Sequence, residues 1–280
     1  MRRRGRKTRL IIHLVAWSIA LIWAIPYVGI LITSLRPYSE VVSGWWNIHP
    51  FTLTLEAYKA VWSNPTYPLS RGFVNSFLIA IPSTIIPLFV AALAAYSFAR
   101  FRGSILKDLL FLTIVTLMSV PQQAVIIPVF GFMSRINMIN TRIGLILLHT
   151  AFGLPWQILF LRNFFMTMPV EVEEAARVDG ATDFQIFYKI VLPMALPALA
   201  SVVALQFNWV WNDFFFALVL LLTPEKWVVT QTIPALKGRY LIRWDQMAAA
   251  SVMASVVPVI IYALLQKYYV KGIVGGVMKG

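Results

Sequence analysis

The sequence predicts an all-α membrane protein with six transmembrane helices, and three observations carry that prediction: composition, the length of the apolar runs and the placement of basic residues. Hydrophobic residues make up 59% of the chain and charged residues 12%, against roughly 25% charged in soluble domains. Crossing a hydrocarbon core about 30 Å thick takes about 20 mainly apolar residues, because a helix rises about 1.5 Å per residue. Six runs meet that length: Leu10–Leu35, Phe73–Ala99, Leu109–Met133, Ile143–Leu161, Ile190–Leu222 and Met247–Gln266. The first four contain no Asp, Glu, Lys or Arg. Lipid offers no partner for backbone N–H and C=O groups, and a helix satisfies them internally. The short alternating segments of a β-barrel are absent from the sequence.

The elements follow in order. Residues 1–9 are a basic terminus: Arg2, Arg3, Arg4, Arg6, Lys7 and Arg9 stand directly before the first span. Lys and Arg accumulate on the cytoplasmic side, so this end is expected inside, and six spans return the carboxyl terminus to the same side. On that topology fifteen of the 24 lysines and arginines lie inside. The net charge of +13 is scattered over span ends, which fits anchoring to anionic lipid rather than binding of nucleic acid. The first apolar run, 26 residues at 10–35, exceeds the roughly 7–15 of a signal-peptide core, so no cleavable signal is expected. Cysteine is absent, which excludes a disulfide framework or thiolate metal site. His13, His49 and His149 are far apart and are expected as interfacial or packing residues.

Residues 36–72 form an external segment with Trp45, Trp46, Tyr58, Trp62 and Tyr67, broken by prolines 37, 50, 65 and 68. These aromatics suit an interfacial belt; a small extracytoplasmic cap is the alternative. Residues 73–266 then read as a five-helix core, with the first span peripheral and the tail 267–280 cytoplasmic.

Inside that core, the polar loop 166–190 can be built from local rules. Pro169 suits a first helical turn, where its missing N–H has no partner anyway. Glu171, Glu173 and Glu174 sit at the positive end of the helix dipole and Arg177 nearer the negative end. Glu173 and Arg177 are four apart in the favoured order for an ion pair. Gly180 supplies a left-handed terminator. Thr182 with Gln185 makes a capping box that starts a second short helix carrying Phe184, Phe187 and Tyr188, and Pro193 and Pro197 mark entry into the fifth span. The order is helix, glycine turn, helix, membrane. On periodicity alone, a solvated amphipathic loop explains these residues equally well.

The spacing of Glu174-Ala175-Ala176, Gly180 and Ile190-x-Leu192-Pro193 resembles the cytoplasmic docking loop of permease subunits in ABC importers. Met168-Pro169 with the glutamates and Ala175–Ala181 is similar to the carbohydrate (maltose-type) branch. So are Thr33-Ser34-Leu35-Arg36-Pro37, Ala99-Arg100-Phe101-Arg102-Gly103 and Trp211-Asn212-Asp213-Phe214. The end, from Gln266-Lys267 to Gly275-Gly276-Val277-Met278-Lys279-Gly280, resembles the short tail of those subunits, except that Ile273-Val274 replaces a frequent Leu-Thr pair. The resemblance runs over nearly the whole chain.

That resemblance implies a type I ABC importer permease fold in the cell (inner or plasma) membrane of a prokaryote. The implied partners are a second permease subunit, two ATP-binding subunits and an extracytoplasmic sugar-binding protein. It assigns ATPase docking to Glu173, Glu174, Ala175, Ala176, Arg177, Gly180, Ile190, Leu192 and Pro193, the alanines letting the helix sit low in a partner's groove. The chain has no Gly-x4-Gly-Lys-[Ser/Thr] phosphate loop, so ATP and Mg are expected on the partner ATPases and this subunit is expected to be non-catalytic.

The transport route is sought in the fifth span. Asn208, Trp211, Asn212 and Phe215 fall on one helical face, and Gln206, Trp209, Asp213 and Phe216 on a neighbouring stripe. Amides that bond hydroxyls and rings that stack on sugar faces make Asn208, Trp211, Asn212 and Asp213 the candidate pathway. An ionisable group within a span is a functional candidate. Asp213 near the external mouth or paired between helices, with Asn208 bridging helices, is the structural alternative. In the external loop 223–245, Trp227, Pro234, Lys237, Arg239 and Tyr240 either reach the binding protein, as the resemblance implies, or belong to a solvated connection. Competing functions are an amino-acid or anion importer, a secondary transporter and a non-transporting scaffold.

Overall fold

The computed structural model describes residues 6–47, 49–101, 103–238 and 242–277, and every regular element among them is helical. The helices used below are α1 (Arg6–Ser34), α2 (Leu69–Arg100), α3 (Ile105–Leu117), α4 (Gln122–Arg135) and α5 (Arg142–Met166). There follow α6 (Glu171–Val178), α7 (Asp183–Met194), α8 (Leu196–Trp211), α9 (Phe215–Leu220), α10 (Val229–Ala235) and α11 (Trp244–Val277). Four of them, α1, α2, α5 and α11, are long and apolar enough to cross a membrane singly.

Two expected spans differ from a single straight helix. The third, 109–133, is an elbow: α3 and α4 meet at 104°, and at 13 and 14 residues each reaches only roughly 20 Å. The cause is local. Pro121 has no N–H and disfavours helical backbone at Val120, so Met118, Ser119 and Val120 bond back only three residues before the chain turns. The fifth, 190–222, is bent by 73° between α7 and α8, at Ala195 between Pro193 and Pro197. It breaks again at Asn212–Phe214, and α9 continues as a separate helix. Counting each bent pair as one crossing gives the six expected. The last helix runs on past Gln266 to Val277; Met278, Lys279 and Gly280 lie outside the described residues, as do Arg2, Arg3, Arg4 and Arg102.

The chain divides into two compact units, Met1–Ser70 with Thr232–Ser255, and Arg71–Gln231 with Val256–Gly280. In the first, only 6% of the apolar window of α1 is buried. The segment after it is folded around Arg36, which is 1% exposed. Its guanidinium donates to Glu40 Oε2 (3.0 Å), Asn47 O (2.7 Å) and Pro50 O (2.6 Å), and lies over the Phe51 ring. Ser34 and Tyr58 share a hydroxyl hydrogen bond of 2.7 Å. Trp46, 70% exposed, faces outward, whereas Trp45 packs on Gly29.

Hydrogen bonding from Thr52 is the largest influence on the Glu40 carboxyl, and with the bond and charge of Arg36 it outweighs the opposing effect of burial and holds the group below its ordinary value of 4.5. A depressed carboxyl pKa stabilises the fold above the unfolded value and loses that contribution as pH falls through the folded one. Proteolytic nicking between residues 37 and 54 is therefore expected to accelerate below pH about 4.5. In Glu40→Gln it should be fast at neutral pH too; equal rates for that variant and the parent would refute the assignment.

In the second unit the core is built on small residues. Ala91, Ala92, Ala95 and Ala99 of α2 are buried against Ile158, Leu161 and Phe165 of α5 and against Ala195, Ala198 and Val202 at the entry of α8. Alanine faces let helices approach closely where lipid supplies no hydrophobic drive. Met168, Ile186, Phe187 and Val191 belong to the same cluster, so the loop between α5 and α8 is packed onto the ends of these helices rather than left free.

Candidate functional site: a docking segment and a buried polar face

The segment 168–193 is built as the local rules require, with one reorientation. Glu171, Glu173 and Glu174 occupy the first turn of α6, and Arg177 the last. Pro169 falls two residues before the helix rather than in it, an ordinary boundary shift. Gly180 has φ +83°. Ala181 N donates to Ala176 O and Gly180 N to Arg177 O, each at 3.0 Å, which is the paired C-terminal motif that favours glycine at this position. The capping box is present: Gln185 N donates to Thr182 Oγ1 at 3.3 Å and Thr182 N to Gln185 Oε1 at 2.8 Å.

The expected Glu173–Arg177 pair does not form. Glu173 is 2% exposed. It accepts from Arg100 Nε at 2.7 Å and from Tyr96 OH at 2.9 Å, both on α2, and Arg100 also donates to Met168 O at 3.3 Å. Arg177 instead reaches over the glycine turn to Asp183 at 3.2 Å. Packing decides this, because the inward face of α6 lies on α2 and Glu173 is on it. Ala176 is half-buried and packs against the core on that face too. Ile190 and Leu192 are half-buried, and Leu192 also packs on the core. Facing outward are Glu174, Ala175, Arg177, Gly180 and Pro193, together with Val178 (88% exposed), Phe184 and Tyr188. Apolar side chains rimmed by charges and exposed around a rigid turn are the composition of an interaction surface.

The candidate pathway residues separate. Asn212 Nδ2 donates to Asn208 O and Oδ1 at 2.8 and 2.9 Å, and both residues are exposed; Asn208 borders a groove with Pro258 and Tyr262. Trp211 leaves this set: it is 2% exposed and packs among Phe73, Phe77 and Phe207. A position three residues from Asn208 is displaced toward the interior, and α2 covers it. Asp213 points inward. Its carboxylate accepts from Phe216 N (3.3 Å) and Ala217 N (3.1 Å), capping α9, and lies 3.5 Å from His149 Nε2.

His149, expected as an interfacial or packing residue, is buried against Trp209 and Phe216, and the layer it forms with Gly153 and Gln157 is what the sequence reading missed. His149, Gly153 and Gln157 recur every four residues on the buried face of α5. A Cβ on Gly153 would lie 2.6 Å from Gln206 Nε2. Gln206 is fully buried, accepts from Trp156 Nε1 at 3.1 Å and donates to Ser83 O at 3.1 Å. Next to this layer, the α3–α4 elbow, α5 and α8 line a half-open cavity of about 770 Å³ with Pro121, Gln122, Phe152, Trp156, Leu205 and Trp209 on its walls. The spacing of His149, Gly153 and Gln157 at four-residue steps in an otherwise apolar span was the available signal.

Of the external residues, Trp227 turns back, its Nε1 donating to Leu221 O at 3.1 Å. Pro234 and Lys237 are exposed, and Arg239 and Tyr240 lie outside the described residues.

Residues 88–275 match the model of the binding-protein-dependent transport system inner membrane component family. A probable ABC transporter permease protein of Pyrococcus horikoshii is 53% identical over 95% of this chain and 96% of its own. An osmoprotective compounds uptake permease protein of Synechocystis is 39% identical over 98% and 95%. The glucose import system permease protein of Saccharolobus solfataricus is 32% identical over 96% and 96%. Among solved structures, a bacterial ABC transporter involved in import of the acidic polysaccharide alginate superposes with a TM-score of 0.78 at 25% identity, over 96% of this chain and 100% of that one. The apolar spans thus go with a family match over residues 88–275 and with relatives that cover nearly the whole chain, and this chain belongs to the binding-protein-dependent transport system inner membrane components.

Proposed function

We propose that this chain is the permease subunit of an ATP-driven sugar importer, forming half of the translocation pathway with a second permease. The observation that carries the reading is the rigid α6–turn–α7 segment, held by Glu173 to α2 and presenting Glu174, Arg177, Val178 and Phe184 outward. An ATPase subunit docks there, and the importer's two ATPases hold ATP and Mg; this subunit does no covalent chemistry. Both termini are cytoplasmic, and a binding protein delivers substrate from outside. Relatives named for glucose and alginate support a mono-, di- or oligosaccharide. The relative named for osmoprotective compounds makes a small compatible solute the competitor to include in binding assays. Within the pathway, the cavity beside Trp156 and Trp209 joins Asn208 and Asn212 as surface that substrate passes, while inward-pointing Asp213 holds the break between α8 and α9.

Glu174→Lys replaces an outward acid with a base, and like-charge contact at an interface disfavours association. ATP-dependent uptake in that variant is expected to fall at least about tenfold, with the ATPase lost on purification in mild detergent. Normal uptake with normal ATPase recovery would reject the docking role. The binding protein co-purified with the parent complex, titrated with sugars and with compatible solutes, identifies the substrate class.

A further inference from the structure

A second polar clamp lies at the opposite end of α2 from Arg100. Asn75 is 1% exposed. Its Oδ1 accepts from Arg142 Nε (3.0 Å) and Nη2 (2.8 Å) on α5, while its Nδ2 donates to Glu225 O (3.0 Å) and Trp227 O (2.8 Å). Only an amide can serve both sides, because the guanidinium requires an acceptor and the carbonyls require a donor. Beside it, Ser76 Oγ accepts from Val229 N at 2.9 Å. Asn140, just before α5, has φ +55°. Its Oδ1 accepts from Leu222 N (3.1 Å), Thr223 N (3.2 Å) and Thr223 Oγ1 (3.2 Å). Its N donates to Leu220 O at 2.7 Å and its O accepts from Lys226 Nζ at 2.6 Å. From the same turn, Thr230 Oγ1 donates to Asp213 O at 2.6 Å, where α8 gives way to α9.

We propose that Asn75 and Asn140 are positioning residues that weld the turn 220–230 to the outer ends of α2 and α5. The turn, α2 and the break at Asp213 then move as one body. This rests on the importer reading above. A loop free to deform would absorb the push of a docked binding protein. A welded turn passes it to the Asp213 break and along α2, which runs unbroken from Asn75 to the Arg100–Glu173 pair beneath the ATPase surface. The same weld carries ATPase motion outward.

The test uses the complete importer in liposomes. Asn140→Gly removes the clamping oxygen, and glycine accepts the left-handed backbone without strain. Asn75→Leu removes the other clamp. Both are expected to cut the ratio of binding-protein-stimulated to basal ATP hydrolysis at least about tenfold, without raising the KM for ATP. The chain has no native cysteine, so a Ser76→Cys, Val229→Cys disulfide can restore the weld; it should rescue Asn140→Gly and leave the parent active. Unchanged stimulation in both variants, or a disulfide that stops the parent, overturns the proposal. A spin label at Glu225 gives a readout independent of substrate. The label is expected to be immobile in the parent and mobile in Asn140→Gly, and equal mobility refutes the clamp even if the parent complex carries no sugar.

Discussion

Arg100→Ala is expected to release α6 from α2 and uncouple ATP hydrolysis from uptake. The Arg100–Glu173 contact is 2.7 Å long, with side chains 8% and 2% exposed, so the mutation strands a carboxylate in the interior with Tyr96 OH as its remaining side-chain donor. Removing one partner of a buried pair costs roughly 3–5 kcal/mol, because the other charge keeps its desolvation penalty. Hydrogen exchange of the amides of residues 171–178 should then speed up severalfold, while ATP turnover continues without matching transport. Glu173→Gln in the same chain removes the stranded charge, so the double variant should recover part of the protection that Arg100→Ala loses. Parental exchange rates in Arg100→Ala would show that the docking segment is held by Met168, Ile186 and Phe187 alone.

Gly153→Leu is the second large effect. The first atom of any side chain there meets Gln206 Nε2 at 2.6 Å, and Gln206 is pinned by Trp156 and Ser83. Overpacking of this kind costs about 1–3 kcal/mol, and an evicted buried amide that loses its partners adds a further ~1–3 kcal/mol. Thermal denaturation of the purified subunit in detergent should show a lowered midpoint. Gln206→Ala in the Gly153→Leu background opens space and should restore part of it. A midpoint unchanged by Gly153→Leu would mean that α5 and α8 separate more readily than their packing indicates.

Both effects arise where the sequence was hard to read, and the reason is the same. The capping box at Thr182–Gln185, the left-handed Gly180 and the apolar runs are short-range features, set by a few neighbours along the chain. Glu173 and Trp211 were legible as helical positions, but not as inward-facing ones. At Glu173 the local rule offered Arg177 four residues away, and a better partner existed on α2, seventy-three residues earlier. The elbow at Pro121 had its proline in view, yet a proline inside a span is often tolerated: α2 runs unbroken past Pro82 and Pro87. What separates them is the backbone before each: the chain tightens to three-residue bonds ahead of Pro121, whereas α2 continues as helix through its prolines, and the proline alone does not say which will occur.

The sequence by itself therefore determined the membrane setting, the count of apolar crossings, the helix–turn–helix of the docking segment and its resemblance to ABC importer permeases. These follow from transfer of side chains into lipid and from local hydrogen bonding. Tertiary structure alone decided which side of each helix is buried. It placed Glu173 in a pair with Arg100, Trp211 among phenylalanines, Asp213 beside His149, and Asn75 between a guanidinium and two carbonyls. In lipid, apolar side chains are at home on every face of a helix. Its orientation is set by the few polar and small residues that need a partner from another helix.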